Sequence, residues 1–148
     1  MAGLWTDDAH PRIAVAQQAC EQSRFAYRID WEFFGEHDLN SLVCAVAAMV
    51  DSKCLPVFYV GLASLPLRRF EGDESIAMEG HHVRFECMWP LALASTTHAR
   101  WLERAMLNKL GGDPRCQNKS RGGERLASPY DTIFIYFCGS FTLNRDNW

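Results

Sequence analysis

Tyr59, Arg69 and Glu103 are the residues of this chain whose types could act together on a phosphodiester. A phenol can accept or pass a proton when a nearby cation or metal-bound water lowers its pKa. An arginine offers a planar fork of donors to phosphate oxygens and to the charge that builds at phosphorus. A carboxylate near the packing stripe of a helix needs a partner or a metal, because burying it unpaired is costly. One carboxylate with waters and a substrate phosphate suits a single hydrated Mg²⁺ or Mn²⁺. Singly, each has a plain alternative: a rim tyrosine, a solvated arginine, a glutamate paired with Arg68 or Arg84.

The elements that position them are legible from pattern. Residues 9–25 read as an amphipathic helix, with Asp8 as its cap and Pro11 in its first turn. Phe25–Phe34 reads as a strand or a clamp across the core. The apolar run of residues 41–50 and that of 55–61 flank Asp51-Ser52-Lys53-Cys54 and predict an antiparallel hairpin. Gly61 then lets the chain turn sharply into a short helix capped by Ser64, with Pro66 in its first turn and Arg68 and Arg69 in its body. His82–Trp89 alternates as a half-buried strand, and Pro90 stops it. Ser95 or Thr96 opens a helix with Trp101, Leu102, Ala105, Met106 and Leu110 as its stripe, and Gly111-Gly112 ends it. Thr132–Cys138 is a final strand. The expected fold is a small α/β (α+β) domain, its central, mostly antiparallel sheet flanked by helices. Residues 1–40 form an N-terminal helix and aromatic extension, and residues 41–148 the main body of one compact domain.

Composition narrows the class. The 148 residues are 48% hydrophobic, enough for a real core. No run of about 18 apolar residues predicts a membrane span, and no basic start with an apolar core predicts a secretory signal. The expected site is therefore cytoplasmic, or nuclear or nucleoid. The six cysteines form no C-x-x-C pair and read as reduced core thiols. Net charge is -3, unevenly spread. Residues 1–40 hold three basic and seven acidic side chains, net -4; residues 100–125 hold seven basic and three acidic, net +4. The basic stretch contains Arg100, Arg104, Lys119 and Arg121, a footprint suited to a phosphate backbone. The acidic one suits a protein partner.

Order and spacing join these residues. A strand ending in Tyr59-Val60-Gly61, an arginine ten residues after that tyrosine, and the helix Ala99-Arg100-Trp101-Leu102-Glu103-Arg104-Ala105-Met106-Leu107 resemble the GIY-YIG nuclease family over roughly residues 41–125. Pro114-Arg115-Cys116-Gln117-Asn118, followed by Gly122-Gly123, is similar to that family's proline–asparagine stretch. The resemblance implies Tyr59 and Arg69 as catalytic groups, Glu103 as the metal ligand and Asn118 as a holder of the site's geometry. Arg68, Arg100, Arg104, Lys119 and Arg121 become substrate-binding candidates, and His82, beside His81, a proton carrier. The implied function is a divalent-metal-dependent endonuclease acting on DNA before RNA. One part of the signature is missing: its first half, Gly-Ile-Tyr, has no counterpart near Val46-Ala47-Ala48. Tyr27 or Tyr130 could reach in instead, or Tyr59 could act with a histidine. A catalytically inactive nuclease-like fold that binds nucleic acid or protein is the alternative. A third reading is a small α/β domain with no nucleic-acid role.

Overall fold

The computed structural model describes residues 4–5, 10–35, 38–118 and 131–142. Lys119, Arg121 and Tyr130 lie outside the described residues. The fold is α+β. Its main sheet consists of β1 (Leu4–Trp5), β2 (Val57–Ala63), β5 (Cys87–Ser95) and β6 (Thr132–Ser140). Their spatial order is β1-β5-β6-β2, and each pair is antiparallel. The last strand is thus an inner one. All nine residues of β6 are buried, as a strand covered on both faces requires. A smaller sheet pairs β3 (Gly72–Asp73) with β4 (Met78–Glu79).

Helices cover both faces. Alternation along β2 sends Phe58, Val60 and Leu62 to one side and Val57, Tyr59 and Ala63 to the other. The first side packs against α2 (Leu39–Ser52) and α4 (Thr96–Leu110) through Leu42, Val46, Met49, Leu102 and Met106. The second side packs against Phe70 of α3 (Pro66–Glu71), with Phe25, Ile29 and Phe85. α1 (Pro11–Glu21) packs on α3 and is tied to the sheet by Arg12. That guanidinium donates to the carbonyl and hydroxyl of Thr132 and to the carbonyl of Ser64. Residues 25–34 form turns rather than a strand, with a single parallel bridge between Ile29 and Met88.

Several expectations are corrected. Leu65 rather than Ser64 is the N-cap of α3. Residues 81–83 are a 3₁₀ turn, and the strand starts only at Cys87. Trp101 stands outside the packed stripe of α4. Residues 39–52 are a helix, not the first strand of a hairpin. Asp38 caps it, accepting from the Ser41 N–H at 2.8 Å, and Leu42, Val46, Met49 and Val50 are its buried stripe. Their spacing is helical, and the intervening alanines favour a helix. The expected hairpin turn is the end of α2, followed by Cys54 at φ 53°. Pro90 does not end its strand. β5 runs on to Ser95, and a register shift between Pro90 and Ala92 absorbs the missing N–H. Gly61 is not a turn either, because β2 continues through it to Ala63.

Candidate functional site

β2 delivers Tyr59 to the α3 side of the sheet, and its partner there comes from the end of the chain. In the β2–β6 pairing Tyr59 stands opposite Cys138 and Gly61 opposite Tyr136. Tyr136 therefore projects from the same face, two residues along. A Cβ on Gly61 would lie 2.5 Å from the Tyr136 hydroxyl oxygen and 2.9 Å from Cε1 of Tyr59. The glycine is there to make room for two phenols.

His81 closes the group. Gly80 packs its backbone against Phe70 and Glu71 so closely that a Cβ would come within 2.4 Å of three of their backbone atoms. The single 3₁₀ turn that follows, His81–Val83, sends His81 inward. Its Nε2 lies 2.7 Å from the Tyr136 hydroxyl, and its ring centroid 5.0 Å from that of Tyr59. Arg69, on α3, donates to the Glu79 carbonyl at 3.3 Å, and its cation opposes the rise in the Tyr136 pKa. Which of Tyr136 and His81 donates in their shared bond depends on the imidazole tautomer.

Electrostatics follow from burial. His81 is pushed down to about 3, by desolvation first and by the Arg69 and Arg84 cations second, so it is neutral near pH 7. Burial pushes the Tyr136 phenol well above its ordinary range, with Cys138 and Tyr59 adding to the rise and Arg69 opposing it. The pair is a neutral hydrogen-bonded couple at rest. Tyr59 and Arg69 are the half-buried members, and Tyr136 is 1% exposed.

Asn118 holds the outer edge of β2. Its Nδ2 donates to the Val60 carbonyl at 2.7 Å, and its Oδ1 accepts from the Val60 N–H at 3.0 Å. Just before it, the Phe58 N–H donates to the Arg115 carbonyl and the Gln117 N–H to the Phe58 carbonyl, both at 2.8 Å. Residues 115–118 thus cover the free edge of β2 between Phe58 and Val60, the two neighbours of Tyr59.

The other expected residues stand elsewhere. His82 packs against Phe25 and Phe70, at centroid distances of 5.0 and 6.2 Å, and faces a groove of about 980 Å³ rather than the phenols. Arg68 lines the same groove and is bound to Asp73 at 2.8 Å. Arg100 and Arg104 are exposed on α4. Tyr27 is fully solvent-exposed and does not enter the cluster.

Glu103 is 8% exposed on α4, whose packing residues lie on the Phe58–Val60 side of the sheet, while Tyr59 faces the other side. Among the described residues no group of three or more His, Cys, Asp or Glu gathers. They do not assemble a metal centre around the phenols, and the chemistry below is derived from the Tyr–His–Arg cluster alone.

Sequence reasoning missed Tyr136 and preferred His82 to His81. The signal for Tyr136 was the Ile135-Tyr136 pair inside the strongest β-forming run of the chain. No family model, no curated protein and no solved structure matches this chain. The cluster stands on its geometry.

Proposed function

We propose that this protein is an endonuclease that hydrolyses phosphodiester bonds in nucleic acid, DNA before RNA. The observation that carries the reading is Tyr136. A GIY-YIG-like site requires a second tyrosine on the strand that pairs antiparallel with the Tyr-Val-Gly strand, and β6 is such a strand, with Ile135-Tyr136 facing Gly61-Leu62. The missing half of the signature is then supplied from the far end of the chain, a permuted order of the same parts.

The division of labour follows from exposure and charge. Arg69 binds the non-bridging oxygens of the scissile phosphate and offsets the charge that grows on them during attack. Tyr59, at the open side, orients the attacking water. As the water oxygen bonds to phosphorus, the opposite P–O bond breaks and the leaving alkoxide takes a proton from solvent. The water's proton passes through the phenol hydroxyls towards His81, which is neutral and able to accept. Its low basicity makes it a receiver only while negative charge builds beside it. Asn118 positions Tyr59 by fixing Val60. In this reading the basic side chains of residues 100–125 hold the backbone, the acidic N-terminal segment faces a protein partner, and the protein works in the cytoplasm, nucleus or nucleoid.

Plasmid nicking in Mg²⁺ or Mn²⁺ tests this. Arg69→Ala should lower the rate by about 100-fold or more, and Tyr136→Phe, which keeps the ring, should lower it by about 100-fold. Glu103→Gln decides the metal assignment: loss of metal-dependent cutting keeps Glu103 as the ligand, and unchanged cutting removes it. Wild type that cuts neither DNA nor RNA with any divalent metal rules out the enzyme. The near-complete burial of Tyr136 favours the second reading, an inactive fold that binds nucleic acid. Binding that falls steeply with salt, without cleavage, is its signature.

A further inference from the structure

The outer face of α4 carries an arrangement of its own. At 100° per residue, Arg100, Trp101 and Arg104 fall on the side away from Leu102 and Met106. All three are exposed, Trp101 to 56%. The indole of Trp101 lies flat on the imidazole of His98, with centroids 5.8 Å apart and ring planes 11° apart. The one carboxylate of the helix, Glu103, is buried.

A rigid aromatic surface between cations calls for a ligand that offers both a flat π-face and a run of negative charge. A duplex hides its base faces in the stack, and an acidic peptide lacks regular planar groups. An unpaired stretch of nucleic acid has both. We infer that the outer face of α4 is a platform for single-stranded nucleic acid. An unpaired base stacks on the free face of Trp101, backed by His98, and the flanking phosphates lie on Arg100 and Arg104. The inference rests on the nucleic-acid reading above and deepens it by naming the substrate class: a strand with an unpaired segment, held across the sheet from the Tyr59 cluster rather than beside it.

The test is fluorescence anisotropy on the full chain in EDTA, with labelled single strands of about 12 nucleotides and the corresponding blunt duplex. Single strands should bind at least about tenfold tighter than duplex. Trp101→Ala should weaken single-strand binding by roughly tenfold or more, and Trp101→Phe should recover part of it. The Arg100→Gln/Arg104→Gln pair should reduce the slope of log K against log salt by about 1.4. Equal affinity for duplex overturns the inference, as does Trp101→Ala that binds like wild type with an unchanged circular dichroism spectrum. Nicking without a Trp101 effect sinks the platform and leaves the nuclease standing. Trp101-dependent single-strand binding without nicking supports the platform and sinks the nuclease.

Discussion

At His81 the chain holds an imidazole among Tyr59, Phe85 and Tyr136, and its depressed pKa ties stability to pH. The folded value is about 3 and the ordinary value 6.5, so between them the unfolded chain binds more protons than the folded one. The contribution of His81 is therefore complete above pH 6.5 and is lost as pH falls towards 3. Urea midpoints measured across that window should fall with pH, and His81→Gln should flatten that part of the profile. The two adjacent histidines were visible in the sequence, but not which one turned inward. The choice depends on the close packing of Gly80 on Phe70 and Glu71, a long-range contact with no local signature. Asn118 was singled out by the resemblance of its proline–asparagine stretch and not by any local pattern. Its two hydrogen bonds to Val60 contribute about 1 kcal/mol each.

Among the elements, β2 and β6 are joined at Gly61. A methyl there meets Tyr136, which is buried on all sides and cannot retreat. Gly61→Ala should cost about 1–3 kcal/mol by overpacking, read as a lower urea midpoint, and should also lower nicking. Tyr136→Phe relieves the clash only in part, because Cζ is also close, at 2.7 Å. α4 and its caps were readable from sequence: Ser95 is the N-cap and Gly111 the C-cap. α2 was not, since a continuous apolar run satisfies both strand and helix patterns. The arbiter is the Asp38 cap together with the partner helix α4, against which the stripe of α2 is buried.

For the whole molecule, the arrangement turns on β6. It joins β5 to β2 and contributes Ile133, Ile135 and Phe137 to one core and Tyr136 and Cys138 to the other. A chain truncated after Asp131 should lose cooperative unfolding altogether, with exposed apolar surface reported by a hydrophobic dye. Phe137→Pro should do the same from within, because an inner strand has no tolerance for a missing N–H. By itself the sequence determined the mixed α+β class, the helix that carries Glu103, the arginine of α3 and the strand that carries Tyr59. These rest on caps, periodicity and propensity, all of which act over a few residues. Only the tertiary structure decided that Tyr136 stands across from Gly61 and that His81 rather than His82 joins the phenols. It likewise decided that α4 covers the other side of the sheet. Strand pairing between residues more than seventy positions apart is set by the burial of whole faces, and no local pattern encodes it.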